Sequence, residues 1–586
     1  MKLAKWQFEC LIWTLAVCLV AMVIYTVAFQ YRDGRELTQM AKRQQNRVIP
    51  LPGKPGDIFG RTKNSVGLLA GSHQISGVYA DPQKLGEENF ADTARKIADA
   101  CGGGEERISQ LLQDRKEKRF AFLVHDITPE QVQAIVKLNI PGVQVTQEWR
   151  RHYPNGKLAG QVLGFRRIDG EAGSGMELHA DKYLKPVDGV KVLRCDASRR
   201  GRYIELDEYR PPVDGRSMVL TIDMNIQEYL EKAITASYEK FAAQAVMGVV
   251  MDCNTGEVLA IASVPDFDPN QYSIAKPENM RLRSVTDPYE PGSTFKPFIA
   301  LGAVEMGKAT LNSKFFCCNG LFASPKAGII RDAPGERFGE MPLGEIVVFS
   351  SNIGMAKLGE SLGNPTLHKI AKEFGFGHPT GIDLPGEDNG RLSPLSKWTS
   401  YDTYRLPFGQ GQIMVTCLQL ANAFSAIANG GMLYQPRIVD RIIAPDGQVV
   451  YQSQPTKLHR VIDTSVARQF IDEVLTQVVE RGTGKKAHSD HWQLLGKTGT
   501  AQIGTPHGYI DRAFTGSFMG AGPATNPQVV CVISVYHPTK DGHFGGTVAA
   551  PYVKEVIEKT LAYLDVPPDQ VDDDVKTDGT TADAGN

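Results

Sequence analysis

Twenty consecutive residues, Cys10 to Phe29, carry no charged side chain. At 1.5 Å per residue a helix of that length crosses a hydrocarbon core of about 30 Å. No other stretch restricts the chain so strongly, because in hydrocarbon every backbone N–H and C=O must be satisfied by a helix or a closed barrel. The segment is longer than the apolar region of a signal peptide, and no small-residue cleavage pattern follows it, so it reads as a retained anchor. Trp6, Trp13 and Tyr31 near its ends suit the membrane interface. Lys2 and Lys5 precede the span, and Arg32, Arg35, Lys42, Arg43 and Arg47 follow it. That bias by itself keeps the large part inside. Long domains cross regardless of such charge, and the chemistry described below requires residues after Arg32 to lie outside the cytoplasm.

The chain has 586 residues, 42% hydrophobic and 22% charged, enough for more than one domain with sizeable cores. A formal net charge of -2 lacks the basic footprint of a nucleic-acid binder. Nine cysteines occur with no C-x-x-C spacing, and the seven outside the apolar span are an odd number, which argues against a disulfide framework. Most read as small buried apolar residues. Pattern divides the chain into a short tail (1–9), the anchor (10–31), a pedestal (32–216), a second domain (217–566) and an acidic, apolar-poor tail (567–586) expected to be disordered. In the pedestal, Phe120–Val124 reads as a strand, Thr128-Pro129-Glu130-Gln131 as a helix N-cap opening a helix to Leu138, and Gly142–Val145 as a strand. In the second domain, Val219–Asp223 reads as a strand followed by a helix to about Phe241. Val246–Met251 and Val258–Ala262 around Asn254-Thr255-Gly256 form a hairpin pattern. Helices are expected over Asn352–Leu362 and Val415–Asn429, strands over Trp492–Ile503, Thr515–Gly520 and Val529–Tyr536, and a last helix over Ala550–Leu564. Strands first and last with helices between imply an α+β fold: an antiparallel sheet covered by helices on both faces.

The chemistry centres on Glu290-Pro291-Gly292-Ser293-Thr294-Phe295-Lys296-Pro297. Residues three apart share a helix face, so Ser293 and Lys296 can meet. Pro-Gly before the apolar run and Pro297 within its first turn suit a helix start, whose positive end favours negative charge developing beside Ser293. About two or three S-x-x-K matches arise by chance in a chain of this length, so the motif needs company. Ser350-Ser351-Asn352 precedes a helical run, and Lys497-Thr498-Gly499-Thr500 lies in a strand pattern. Alone, the first is a helix N-cap and the second a polar strand edge. Together and in this order they match the S-x-x-K, S-D-N and K-T-G set of β-lactamases and penicillin-binding proteins, with Ser351 in place of the aspartate.

With those motifs the chain resembles the class B penicillin-binding proteins, monofunctional D,D-transpeptidases of the bacterial cell wall. The resemblance extends to Arg151-His152-Tyr153-Pro154, Gly164, Gly175-Met176-Glu177, Gly409-Gln410-Gly411, Ala428-Asn429-Gly430-Gly431, Gly482-Thr483-Gly484 and Gly545-Gly546. The family's R-G-x-I-x-D-R-N-G pattern departs here to Pro55-Gly56-Asp57-Ile58-Phe59-Gly60-Arg61. The resemblance implies a transpeptidase domain that cross-links peptidoglycan stem peptides ending in D-Ala-D-Ala, inhibition by β-lactams, and no cofactor or metal. It implies a single-pass place in the bacterial plasma membrane and a SEDS-family glycan polymerase among its membrane cell-wall partners. Ser293 is the expected nucleophile and Lys296 its base. Ser350 is the expected proton relay, and Asn352 orients Lys296. Lys497, Thr498 and Thr500 hold the substrate carboxylate, and Gly499 leaves room for the peptide. Glu290-Pro291-Gly292 and Asn352 favour the division-specific branch over the elongation branch. A soluble β-lactamase is disfavoured by the anchor and pedestal, and a catalytically silent scaffold by the intact polar set.

Overall fold

The computed structural model describes residues 4–102, 104–118, 120–195, 203–505 and 508–570. Two compact units interleave along the chain. One holds residues 1–54, 76–149 and 186–215; the other holds 55–75, 150–185 and 216–586. The expected boundary at 216/217 follows the chain, whereas the division in space takes 55–75 and 150–185 out of the pedestal stretch.

In the first unit one helix runs unbroken over Lys5–Gln45. Its part Lys5–Arg32 is long and apolar enough to cross a membrane, and Leu11, Leu15, Leu19 and Val23 lie exposed on it, as a core helix would not allow. The pedestal patterns hold. Strand Ala121–Ile127 leads into helix Pro129–Leu138, whose Thr128 hydroxyl and Gln131 side chain cap each other's backbone N–H. Residues 76–80 pair antiparallel with this strand. Val78, Phe90, Ile97, Leu112, Leu123 and Ile135 form a small core beneath helices Phe90–Cys101 and Glu105–Asp114.

In the second unit, α1 (Met224–Phe241), capped by Asp223, precedes the hairpin β1 (Ala245–Asp252) and β2 (Val258–Val264). Helices α2 (Lys296–Glu305), α3 (Asn352–Glu373) and α4 (Cys417–Ala428) follow. Strands β3 (Leu495–Thr505), β4 (Gly508–Gly522) and β5 (Val529–Tyr536) and helix α5 (Ala550–Tyr563) complete it. The five strands form one antiparallel sheet in the order β2-β1-β5-β4-β3, so the lysine-bearing strand is at an edge. Alternation along β1 decides the layers: Val246 and Val250 pack with Leu230, Ile234, Val553 and Ile557 of α1 and α5. Met247, Val249 and Met251 face the other way, into the core that holds Phe298 of α2 and Leu418 and Phe424 of α4. Both faces are dry, so these strands are apolar at nearly every position rather than alternating.

Segments 55–75 and 150–185 contribute a buried ionic cluster. Glu177, fully buried, accepts from Arg151 Nε at 2.5 Å, Arg166 Nε at 3.1 Å and the Tyr153 hydroxyl at 3.3 Å. Burial in this setting pushes the Tyr153 phenol well up. Gly164, at φ +71°, has no room for a side chain: a Cβ would lie 2.0 Å from the Ser174 carbonyl oxygen. Residues 567–570, part of the tail expected to be disordered, are held in place. Pro567 accepts from Trp492 Nε1, and Asp569 accepts from the Gln493 N–H and the Thr525 hydroxyl, which ties 567–570 to the sheet end. Residues 571–586 lie outside the described residues. Among the other cysteines, Cys253, Cys317, Cys417 and Cys531 are buried and unpaired, as expected of apolar filler. The Cys195 side chain is not among those described.

Candidate active site

Ser293 lies on a short 3-10 turn, Gly292–Phe295, and the α-helix proper begins only at Lys296. With three residues per turn, this geometry puts 293 and 296 in line on one face. The turn is stapled from behind. The Gly292 N–H donates to the Gly409 carbonyl at 3.0 Å, and a Cβ at Gly409 would come within 2.1 Å of the Gly292 oxygen. The Gly409 of the sequence reading is therefore a close-approach glycine. Gly292 itself has φ +56° and backs onto the Thr500 carbonyl, which brings the Ser293 turn against the edge strand β3.

Lys296 is fully buried. Its Nζ donates to the Ser350 carbonyl at 2.5 Å and to Asn352 Oδ1 at 2.9 Å, and stands 3.1 Å from Ser350 Oγ. Those three contacts use every hydrogen of an ammonium, so the amine is turned to Ser350 and Asn352 rather than bonded to Ser293, which the sequence reading paired with it. Lys497, also fully buried, approaches the same hydroxyl from β3: its Nζ lies 3.0 Å from Ser350 Oγ and 3.0 Å from the Thr498 carbonyl. The Ser350 hydroxyl thus bridges two amines. Burial pulls Lys296 down to about 7, against 10.5 in water, while the Asp332 carboxylate opposes the fall. Burial also pulls Lys497 well down, and the facing Lys296 adds to it, since two like charges around one hydroxyl repel.

The remaining motif residues sit as follows. Ser350 adopts φ +63°, a left-handed conformation costly outside glycine and frequent at functional sites. Asn352 opens α3, with Ser351 as N-cap accepting from the Gly354 N–H. Thr498 shares a 2.5 Å hydrogen bond with Thr483. Thr500 Oγ1 accepts from the Gly545 N–H at 3.3 Å, which leaves its own hydrogen to give. Gly499 has a packing reason within the fold. A Cβ there would meet Thr294 Cγ2 and Ser517 Oγ at 2.7 Å and the Pro291 carbonyl at 3.1 Å, so the glycine lets β3 close on the Ser293 turn. Two side chains of the site escaped the sequence reading. Thr483 belongs to Gly482-Thr483-Gly484, which entered only as part of the family resemblance, with no role at the site. Asp332 stands alone, and no spacing marks it. Among the described residues no group of three or more His, Cys, Asp and Glu is arranged for a metal.

A serine on a helix-opening turn, two buried amines sharing one hydroxyl, and an edge strand that a peptide can extend together make the plan of the penicillin-recognising serine enzymes. The penicillin-binding protein transpeptidase domain matches residues 246–558, and the penicillin-binding protein dimerisation domain matches residues 50–220. Stage V sporulation protein D of Bacillus subtilis is 34% identical over 92% of this chain and 83% of its own length. Peptidoglycan D,D-transpeptidase FtsI of Escherichia coli is 27% identical over 96% of this chain and 93% of its own. Among solved structures, a peptidoglycan synthetase from Bifidobacterium adolescentis superposes with a TM-score of 0.71 at 27% identity, covering 91% of this chain and 99% of that one. Penicillin binding protein 3 of Mycobacterium tuberculosis, complexed with aztreonam, gives 0.68 at 26% identity, covering 89% and 98%. The chain belongs to the class B penicillin-binding proteins and is a transpeptidase.

Proposed function

We propose that this transpeptidase works through an acyl-enzyme on Ser293. The observation that carries the reading is the Ser350 hydroxyl held between two buried amines, one on the helix that Ser293 opens. A neutral Lys296 keeps two hydrogens, which suit the Ser350 carbonyl and Asn352 Oδ1, and presents a lone pair to the hydroxyls beside it. Ser293 Oγ attacks the carbonyl of the penultimate D-alanine and its proton passes to Lys296. The N–H groups of Ser293 and Thr500 receive the oxyanion, each such donor contributing about 3 kcal/mol. The C–N bond then breaks. The departing D-alanine amine takes a proton through Ser350, and an ester remains on Ser293. The amine of a neighbouring stem peptide attacks that ester, forms the new amide and returns the proton to Ser293 by the same path.

The substrate carboxylate joins at Lys497, Thr498 and Thr500. Without an anion, two charges on the pair of amines would repel each other around one hydroxyl. A carboxylate against Lys497 favours the charge there and so leaves Lys296 as the neutral member. Substrate binding thereby selects the active protonation state. Labelling with a fluorescent penicillin tests the assignment: the protein takes one stable label, Ser293→Ala takes none, and full labelling of that variant would refute it.

Residues 217–566 are proposed as the transpeptidase domain, outside the cytoplasm on a single anchor, with 32–216 as its pedestal and a SEDS-family glycan polymerase as membrane partner. Protease treatment of spheroplasts tests the orientation, since protection of the whole 40–560 region reverses it. The Glu290-Pro291-Gly292 and Asn352 signature favours septal synthesis. The 34% identity to a protein named for sporulation favours a second reading, wall synthesis during spore development. Depletion followed by microscopy decides: filaments support division, rounding supports elongation, and normal growth with defective spores supports the second reading.

A further inference from the structure

The middle motif lacks the aspartate of S-D-N, yet a carboxylate from elsewhere in the chain bonds the Ser351 hydroxyl that replaces it. We propose that Asp332, 19 residues upstream of Ser351, supplies it and is the positioning residue that sets the geometry of Ser350, Asn352 and Lys296. Its carboxylate accepts from the Asn352 N–H at 2.6 Å, from the Ile353 N–H at 3.1 Å, and from the Ser351 hydroxyl at 3.0 Å on each oxygen. Ser351 in turn accepts from the Gly354 N–H at 3.0 Å. The two side chains together satisfy the first free N–H groups of α3 and place a negative charge at its positive end.

The adjoining residue completes a clamp. Asn352 Nδ2 donates to the Arg331 carbonyl at 2.9 Å while its Oδ1 accepts from Lys296. Arg331 and Asp332 therefore hold Asn352 by its side chain and its backbone at once. Ser350 stands immediately before this clamp at φ +63°, and such a conformation persists only where neighbouring contacts impose it. Asp332 touches neither Ser293 nor the amine, so its effect on chemistry is indirect: it fixes the strained residue whose carbonyl and hydroxyl receive Lys296. It also acts through space. The ionisable groups bearing on Lys296 are Asp332 and the Cys317 thiol from the segment before α3, and Lys497 from β3. Of these only Asp332 raises the amine's proton affinity as a standing negative charge, so removing it makes Lys296 lose its proton at lower pH.

The inference rests on the acyl-enzyme reading, and the experiment separates the two. Acylation rates by a fluorescent penicillin are measured from pH 5.5 to 9 on the full-length protein in detergent. Asp332→Asn keeps the shape but loses the charge and one acceptor. It is expected to acylate about ten- to a hundredfold more slowly on its plateau, with the acid limb of the profile displaced to lower pH. The paired exchange Asp332→Ser with Ser351→Asp returns a carboxylate to the helix start and is expected to acylate at least tenfold faster than Asp332→Ser alone. A variant with the wild-type rate and limb, or an exchange no faster than the single change, overturns the proposal. A residue that matters only for folding would lower the amount of active protein and leave the limb where it was, which also overturns it. Absence of labelling in the wild type, or label persisting in Ser293→Ala, would instead remove the underlying reading and the proposal with it.

Discussion

Lys296 must be neutral to take the Ser293 proton, so acylation should rise with pH as that amine gives up its charge. The fully buried amine has its midpoint brought down to about 7 by desolvation, with Asp332 pulling the other way. At pH 7 about half of the molecules then carry a competent base, and at pH 5 about 1%. A lysine left at 10.5 would be neutral in about 0.03% of molecules at pH 7, so the burial accounts for a factor on the order of a thousand, or about 4 kcal/mol of barrier. The assay is the second-order acylation rate with a fluorescent penicillin across pH 5–9, at an ionic strength held constant. A tenfold fall per pH unit is expected below about 6.5 and a plateau above about 8. A flat profile across that range, or a rate still climbing steeply at pH 9, would refute the assignment of Lys296 as base. Stability follows the same equilibrium with a definite sign. The folded-state amine binds protons more weakly than the unfolded one, so the unfolded state holds more protons between about 7 and 10.5. This lysine therefore costs stability fully below about pH 7, and the cost fades as pH rises through that window. Lys296→Met should abolish acylation and remove that part of the pH dependence of urea unfolding.

Further outcomes are expected from the same geometry. Gly499→Ala should slow acylation at least tenfold, and Thr294→Ser, which deletes the methyl 2.7 Å from the new Cβ, should partly restore it; a glycine kept only for the substrate's sake would show no such rescue. Ser350→Gly relieves the φ +63° backbone but removes the bridging hydroxyl, so it should be at least as stable as Ser350→Ala in thermal melts while both lose about a hundredfold or more in acylation. Glu177→Ala leaves the guanidinium groups of Arg151 and Arg166, 2% and 3% exposed, without their shared anion, and should destabilise the second unit by about 3–5 kcal/mol in denaturant titrations. A D-Ala-D-Ala analogue with a terminal carboxamide cannot place an anion on Lys497, and its turnover should fall about a hundredfold relative to the free acid.

Local pattern was enough for much of this protein. The twenty charge-free residues after Glu9, the Thr128-Pro129-Glu130-Gln131 cap and the hairpin around Asn254-Thr255-Gly256 are each governed by neighbours a few positions away, and each appears where expected. Ser293, Lys296, Ser350, Asn352 and Lys497 stand out as candidates because their residue types and order are distinctive even before folding. Packing between remote segments decided the rest. Whether Gly499 serves a ligand or the closeness of β3 to the Ser293 turn depends on Thr294, Pro291 and Ser517, which only the folded sheet brings near. Asp332 reaches the start of α3 from a separate segment, and Thr483 reaches Thr498 from another, with no periodicity to announce either. Short-range rules govern helices, turns and caps through backbone geometry. The proton affinity of an amine depends on every group that surrounds it in space, and for Lys296 those groups come from three distant parts of the chain.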